Sequence, residues 1–214
     1  MAEFENYLSP GRKGHLIGIG GVSMSSLAEV LAGMGLMITG SDMNEGANVE
    51  SLRRKGIPIL IGHRAENITD DVEFVVRTAA VHDDNPEIVA AHEKGIPVFE
   101  RTQAWGAISR DYANALCICG THGKTTTTSM CTHIMMAADK DPTVMIGGTL
   151  PLLKAGHRVG HGNTIIMEAC EYYNSFLSFT FCFRQFIITK TNRNFHIEAP
   201  HFSRIFMPYT FCKY

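Results

Sequence analysis

The chain has 214 residues, 45% of them hydrophobic, with 19 Lys and Arg against 21 Asp and Glu, a composition that excludes an intrinsically disordered chain and leaves room for one large domain or two small ones. No basic field is available to hold nucleic acid or an anionic membrane, and no apolar run reaches the roughly 18 residues of a membrane span. Acidic Glu3 and Glu5 stand where a signal peptide would be basic, so the sequence reads as a soluble cytoplasmic protein, its six cysteines reduced and without a CxxC pair.

In chain order the pattern alternates strand and helix. Gly14 to Ile19 is a short apolar run ending in glycine, and from Val22 apolar residues recur at helical spacing. Leu36 to Asp42 reads as a strand, Val49 to Lys55 as a helix stopped by Gly56, and Ile57 to Ile61 as a strand. Val72 to Thr78 is a further strand, and Asn85-Pro86 opens a helix with proline at its first position. Lys94-Gly95-Ile96-Pro97-Val98 echoes Lys55-Gly56-Ile57-Pro58-Ile59. Two copies of helix, Lys-Gly and strand predict a parallel, Rossmann-like α/β sheet. After a connecting helix over 102–112, a second α/β set begins with strand Ala113 to Cys119, a loop, and helix Thr125 to Ala138. Strands at 143–146 and 164–169 follow, with a turn at His157 to Gly162 whose glycines argue against His157 and His161 sharing a metal.

Two glycine-rich loops carry the chemistry. Gly18-Ile19-Gly20-Gly21-Val22-Ser23 follows a strand and opens a helix, and it matches the dinucleotide fingerprint except that Ser23 replaces the third glycine. Helix N-terminal N–H groups there would stabilise a phosphate. Asp42, at the end of the second strand, stands where NAD enzymes place a ribose-binding acid, which keeps a dehydrogenase reading open. The second loop, Gly120-Thr121-His122-Gly123-Lys124-Thr125-Thr126, is a phosphate loop with an intact GKT and Ile118 in place of the usual first glycine. Its N–H groups would cradle ATP phosphates, Lys124 would bridge the β and γ oxygens, and the Thr125 hydroxyl would hold Mg²⁺.

These strings, together with Gly40-Ser41-Asp42 and Glu168-Ala169-Cys170-Glu171, resemble the Mur ligase family of peptidoglycan synthesis from about Gly14 to Phe179. Within it, His122 and the Gly-Ile-Gly-Gly-Val-Ser-Met string favour the member acting on L-alanine. The resemblance implies that the first domain binds UDP-N-acetylmuramate rather than NAD. Gly18, Gly20, Gly21, Ser23 and Met24 would lie at the diphosphate, and Ser41, Asp42, His63, Ala79 and Arg101 on the uridine side. It implies that ATP activates the muramate carboxylate as an acyl phosphate, which the L-alanine amine then attacks. Lys124, and Mg²⁺ held by Thr125 and Glu168, would neutralise the two anions that must meet. Glu171 is a second metal candidate, whereas Cys170 has no base placed for it and reads as a packing residue.

The resemblance predicts three segments: a UDP-sugar domain over 1–110, the first part of a P-loop ATPase domain over 111–178, and a divergent tail over 179–214. All 20 glycines precede residue 163, while eight of the 12 phenylalanines and one of the 21 acidic residues fall in that tail. The family's Asn-Ile-[Glu/Asp]-x-Asp-His segment is missing there, and Arg193 falls near its histidine. The tail is therefore expected to be unfolded, the product of a shifted frame or truncated gene, and the chain inactive in ligation. A non-catalytic nucleotide-sugar-binding fragment is the alternative role.

Overall fold

The computed structural model describes residues 3–120, 122–168 and 185–189. Its first sheet is built from β1 (Lys13–Ile17), β2 (Met37–Asp42), β3 (Ile59–Ile61), β4 (Phe74–Arg77) and β5 (Val98–Glu100), in the order β3-β2-β1-β4-β5 with every neighbouring pair parallel. Four helices alternate with these strands: α1 (Val22–Gly33), α2 (Ala47–Arg54), α3 (Pro86–Glu93) and α4 (Arg101–Arg110). The chain moves outward from β1 to β3 and returns to the other side of β1 as β4, so the two directions part at β1. In doubly wound sheets that parting opens a crevice at the strands' C-terminal ends, where ligands bind.

Side chains of successive strand residues point to opposite faces, so Leu16 and Ile17 enter different cores. Leu16 packs with Leu27 and Leu31 of α1, Leu52 of α2 and Trp105 of α4; Ile17 packs with Ile88 and Ala91 of α3. Both faces are covered, which explains strands that read as continuous apolar runs. The repeated Lys-Gly is the stop of α2 and of α3: Gly56 and Gly95 have φ of 85° and 69°, the left-handed conformation that ends a helix. The start of α3 is equally legible, with Pro86 in the first turn and the Asn85 side chain accepting the Glu87 N–H at 2.9 Å.

The second sheet contains β6 (Asn114–Gly120), β7 (Thr143–Leu150), β8 (Ala155–Arg158), β9 (Thr164–Glu168) and β10 (Gln185–Thr189), ordered β10-β6-β9-β7-β8, with α5 (Lys124–Ala137) after β6. All pairs are parallel except β7 with β8, so this sheet is mixed. Two expectations are corrected. His157 lies in strand β8 rather than in a turn, because β7 runs on to Leu150 and folds back as a hairpin. Residues 185–189, expected to stand outside the fold, pair with β6 from Gln185↔Leu116 to Thr189↔Gly120; an apolar Phe-Ile-Ile run needs no alternation when it joins a parallel sheet. The rest of the 179–214 segment lies outside the described residues, as do Cys170 and Glu171.

The β7–β8 hairpin packs on α1. Val159 leans on Gly33, and Ala115, Cys117, Ile165 and Met167 of the second sheet belong to the same core as Leu16 and Leu27. At the edge of this contact Glu29 of α1 meets His157 Nε2 at 2.6 Å and Lys55 Nζ at 2.5 Å, with Glu29 and His157 each only 12–14% exposed. Burial raises the carboxyl's pKa, but the bonds from His157 and Lys55 outweigh it and hold Glu29 below the ordinary carboxylate value of 4.5. A carboxyl depressed by folding stabilises the fold above its unfolded pKa and loses that contribution as pH falls through its folded value. Urea titrations below about pH 4.5 should therefore show wild-type stability falling more steeply than that of Glu29→Gln; parallel slopes would remove this pair from the interface energetics.

Candidate active site

The turn between β1 and α1 is held by backbone and carboxylate bonds. Gly18 and Ile19 N–H groups donate to the Ser41 carbonyl at 2.8 and 3.0 Å, and the Gly20 N–H donates to Asp42 Oδ2 at 2.8 Å. Asp42 Oδ1 accepts the Asn44 N–H at 3.1 Å, and Asn48 Nδ2 donates to the Gly20 carbonyl at 2.7 Å. A Cβ on residue 20 would stand 2.9 Å from Asp42 Oδ2, so glycine is required for this approach. The loop borders an open cleft of about 510 Å³ lined by Gly18, Gly20, Gly21, Asp42, residues 44–49 and Thr78. No side chain caps α1, whose N-cap is Gly21, which leaves its first N–H groups to the cleft edge.

The expected site residues divide between cleft and core. Gly18, Gly20, Gly21 and Asp42 line the cleft, and exposed Ala79 follows its wall residue Thr78. Ser23 faces the second sheet, its Oγ 3.9 Å from Met145 Sδ, and Met24 is buried, so only its main chain can reach a ligand. Ser41 is fully buried; its hydroxyl donates to Glu87 Oε2 at 2.7 Å. His63 is mostly covered, with Nδ1 2.8 Å from the same oxygen. Arg101, half-buried, opens α4 directly after β5. Both Asp42 oxygens accept backbone N–H groups, so the carboxylate braces the loop from the cleft wall.

The second loop leaves β6 next to β9 and enters α5 through Gly123, whose φ of 78° is the left-handed turn that a Cβ would disfavour. Thr127 N–H closes the first helical turn on the Gly123 carbonyl at 2.9 Å. Lys124 is half-buried, while His122, Thr125 and Thr126 are exposed; Gly120 ends the strand, and Thr121 lies outside the described residues. Across the loop, Glu168 ends β9 opposite Ile118 and is only 7% exposed. Its Oε1 is buried and finds no hydrogen-bond partner among the described residues. Two glycines of β7 make the space: a Cβ at Gly147 would come within 2.9 Å of Glu168 Oε2, and one at Gly148 within 3.6 Å of Thr125 Cγ2. A desolvated carboxylate oxygen without a donor, beside a threonine at a phosphate loop, fits a small hard cation. Mg²⁺ commonly takes one or two protein oxygens and completes its shell with phosphate and water. No cluster of three or more His, Cys, Asp or Glu that could hold a metal occurs among the described residues.

Comparison with known proteins bears on the two loops together. Residues 13–113 match the model described as Mur ligase family, catalytic domain. The UDP-N-acetylmuramate–L-alanine ligases of Lachnoclostridium phytofermentans and Agathobacter rectalis are each 48% identical over 165 residues, 77% of this chain. A crystal structure of UDP-N-acetylmuramate–alanine ligase from Thermotoga maritima superposes with a TM-score of 0.76 at 35% identity, over 84% of this chain and 41% of that one. The chain belongs to the Mur ligase family. It spans about 35% of the length of the curated relatives it matches. A murein peptide ligase from Psychrobacter arcticus superposes with a TM-score of 0.67 at 25% identity, over 76% of this chain and 38% of that one.

Membership in the Mur ligase family does not make every contact legible. Asn48, which fixes the Gly20 carbonyl, lies in the first turn of α2, just before the helix expected from Val49. Gly147-Gly148 carried a signal in the sequence, a glycine pair inside an apolar strand, that marks close approach. The double duty of Asp42 generates a measurable expectation. An asparagine keeps one acceptor and turns an NH₂ toward the other N–H, so Asp42→Asn should lower unfolding free energy by about 1–3 kcal/mol in urea titrations. Unchanged stability would show that the carboxylate does not staple the loop.

Proposed function

We propose that the first cleft holds UDP-N-acetylmuramate and the second loop holds ATP with Mg²⁺, in the ATP-dependent joining of L-alanine to the muramate carboxylate. The observation that carries the reading is the pair of glycine turns, one after a central strand of each sheet, joined by the β7 strand. Met145 of that strand touches Ser23 beside the first loop, and Gly147 and Gly148 border Glu168 and Thr125 beside the second. Nucleotides bound at both loops would lie at opposite ends of one short strand segment, as a transfer between them requires. The relatives named above are ligases of UDP-N-acetylmuramate and alanine, and at 35–48% identity they support the same substrates here. ATP is the cytoplasmic energy source such a reaction draws on, and no helix among the described residues is long and apolar enough to cross a membrane.

In this reading the N–H groups of Gly123, Lys124 and Thr125 and the Lys124 ammonium cradle the β- and γ-phosphates. Thr125 and Glu168 would hold Mg²⁺, which supplies charge neutralisation as two anions approach. A muramate carboxylate oxygen attacks the γ-phosphorus and ADP leaves with the bond electrons. The alanine amine then attacks the acyl carbon, loses a proton, and expels inorganic phosphate. The protein's contribution is positioning and electrostatic stabilisation rather than a covalent intermediate. Gly18, Gly20 and Gly21 hold the diphosphate, with the main chain of Ser23 and Met24, while Ala79, His63 and Arg101 lie toward the uridine. Residues 1–110 form the nucleotide-sugar unit, and the ATP unit begins at 111.

Calorimetry separates the two sites. The chain should bind UDP-N-acetylmuramate and show no response to NADH. Lys124→Ala should abolish Mg²⁺-dependent ATP binding and leave UDP-sugar binding as in wild type. NADH binding without a response to the UDP-sugar, or ATP binding unchanged by Lys124→Ala, would overturn the assignment.

A further inference from the structure

Between α3 and the first sheet lies a buried carboxylate that the reaction does not use. Glu87, in the first turn of α3, is fully buried and collects donors from three other elements. Oε2 accepts the Ser41 hydroxyl at 2.7 Å and lies 2.8 Å from His63 Nδ1; Oε1 accepts from Asn67 Nδ2 at 2.5 Å and faces His15 Nε2 at 3.5 Å. Burial raises its pKa, but the bonds from His15, Asn67 and Ser41 outweigh burial and keep the carboxyl below its ordinary value. The N-terminal end of α3 favours the same charge.

An ionised carboxylate only accepts, so the proton between Oε2 and His63 belongs to Nδ1. Ser41 leads to the same result. Its one proton is given to Glu87, so toward Nδ1, 3.2 Å away, its oxygen can only accept. Both neighbours demand a protonated Nδ1, and the neutral ring then carries its lone pair on Nε2, on the opposite side of the imidazole. His63 follows β3, two strands from β1, which sets it roughly 10 Å across the sheet from the glycine loop, at the same C-terminal edge of the strands.

We propose that Glu87 is a positioning residue of the nucleotide-sugar site: it fixes His63 as the Nδ1–H tautomer, presenting Nε2 as a hydrogen-bond acceptor for an N–H or O–H of the bound nucleoside. The role rests on the reading of the first cleft as a UDP-sugar site. Glu87 touches no substrate; its effect reaches the ligand through His63.

The test joins a tautomer measurement to a double-mutant cycle, both on the 214-residue chain. Imidazole ¹⁵N–¹H correlation spectra of the wild type should show His63 protonated at Nδ1 and bare at Nε2, with the Nε2 resonance moving when UDP-N-acetylmuramate is added. In calorimetry His63→Ala and Glu87→Gln should each weaken that ligand about tenfold, and the double variant should be no weaker than His63→Ala alone. A proton on Nε2 in the wild type overturns the proposal, even if Glu87→Gln fails to fold. Losses that add in the double variant also overturn it, because they would make Glu87 a structural residue acting apart from His63. Failure of the UDP-sugar reading looks different: the wild type would have Nδ1 protonated yet show no heat and no spectral change with the ligand, which removes the site and the role together.

Discussion

The backbone N–H groups at two glycine turns, where an inner strand of each sheet runs into a helix, are the feature on which the rest of this molecule depends. They can approach a phosphate only if the turn carries no side chain, and they stay in place only if something else holds the turn. At the first loop Asp42 and Asn48 do this work from outside, one gripping the Gly20 N–H and the other its carbonyl. At the second, Gly123 takes a left-handed conformation and the helix begins at once. The two solutions differ in chemistry but deliver the same thing, helix-start N–H groups at the C-terminal end of a strand with parallel neighbours.

If both loops serve one reaction, as proposed, a second constraint arises, since bound nucleotides repel. The structure meets it by fusing the two sheets through α1 and the β7–β8 hairpin, with a shared apolar core and the Glu29, His157 and Lys55 cluster at its rim. The spacing between the loops is then set by packing rather than by a linker. β7 touches both loops, and its glycine pair leaves room for Glu168, buried and without a donor among the described residues, beside the phosphate loop.

Much of this was legible from residues alone. The Lys-Gly echo marked two helix ends because a left-handed residue after a helix is nearly always glycine, and Asn85-Pro86 marked a helix start for equally local reasons. The phosphate loop announced itself because its chemistry is contiguous in sequence. What stayed hidden was assembled across the sheet. Asp42 reads as a ribose ligand from spacing, and that its oxygens accept the Gly20 and Asn44 N–H groups is a fact that only the β1–β2 register decides. Ser41 and His63 read as cleft residues, and nothing local shows that both are joined to a buried Glu87 brought in by a crossover. The antiparallel β8 escaped because glycines around His157 look like a turn, and β10 because an aromatic run without alternation carries no period to read.

That the two loops serve two different nucleotides, held apart by one rigid contact, is tested most directly by a crystal structure of the chain grown with UDP-N-acetylmuramate, Mg²⁺ and a non-hydrolysable ATP analogue. The diphosphate should lie against Gly20 and Gly21, and the triphosphate against Gly123 to Thr125 with the cation beside Glu168. Both nucleotides in one loop, or an empty first cleft beside an occupied second loop, would contradict it.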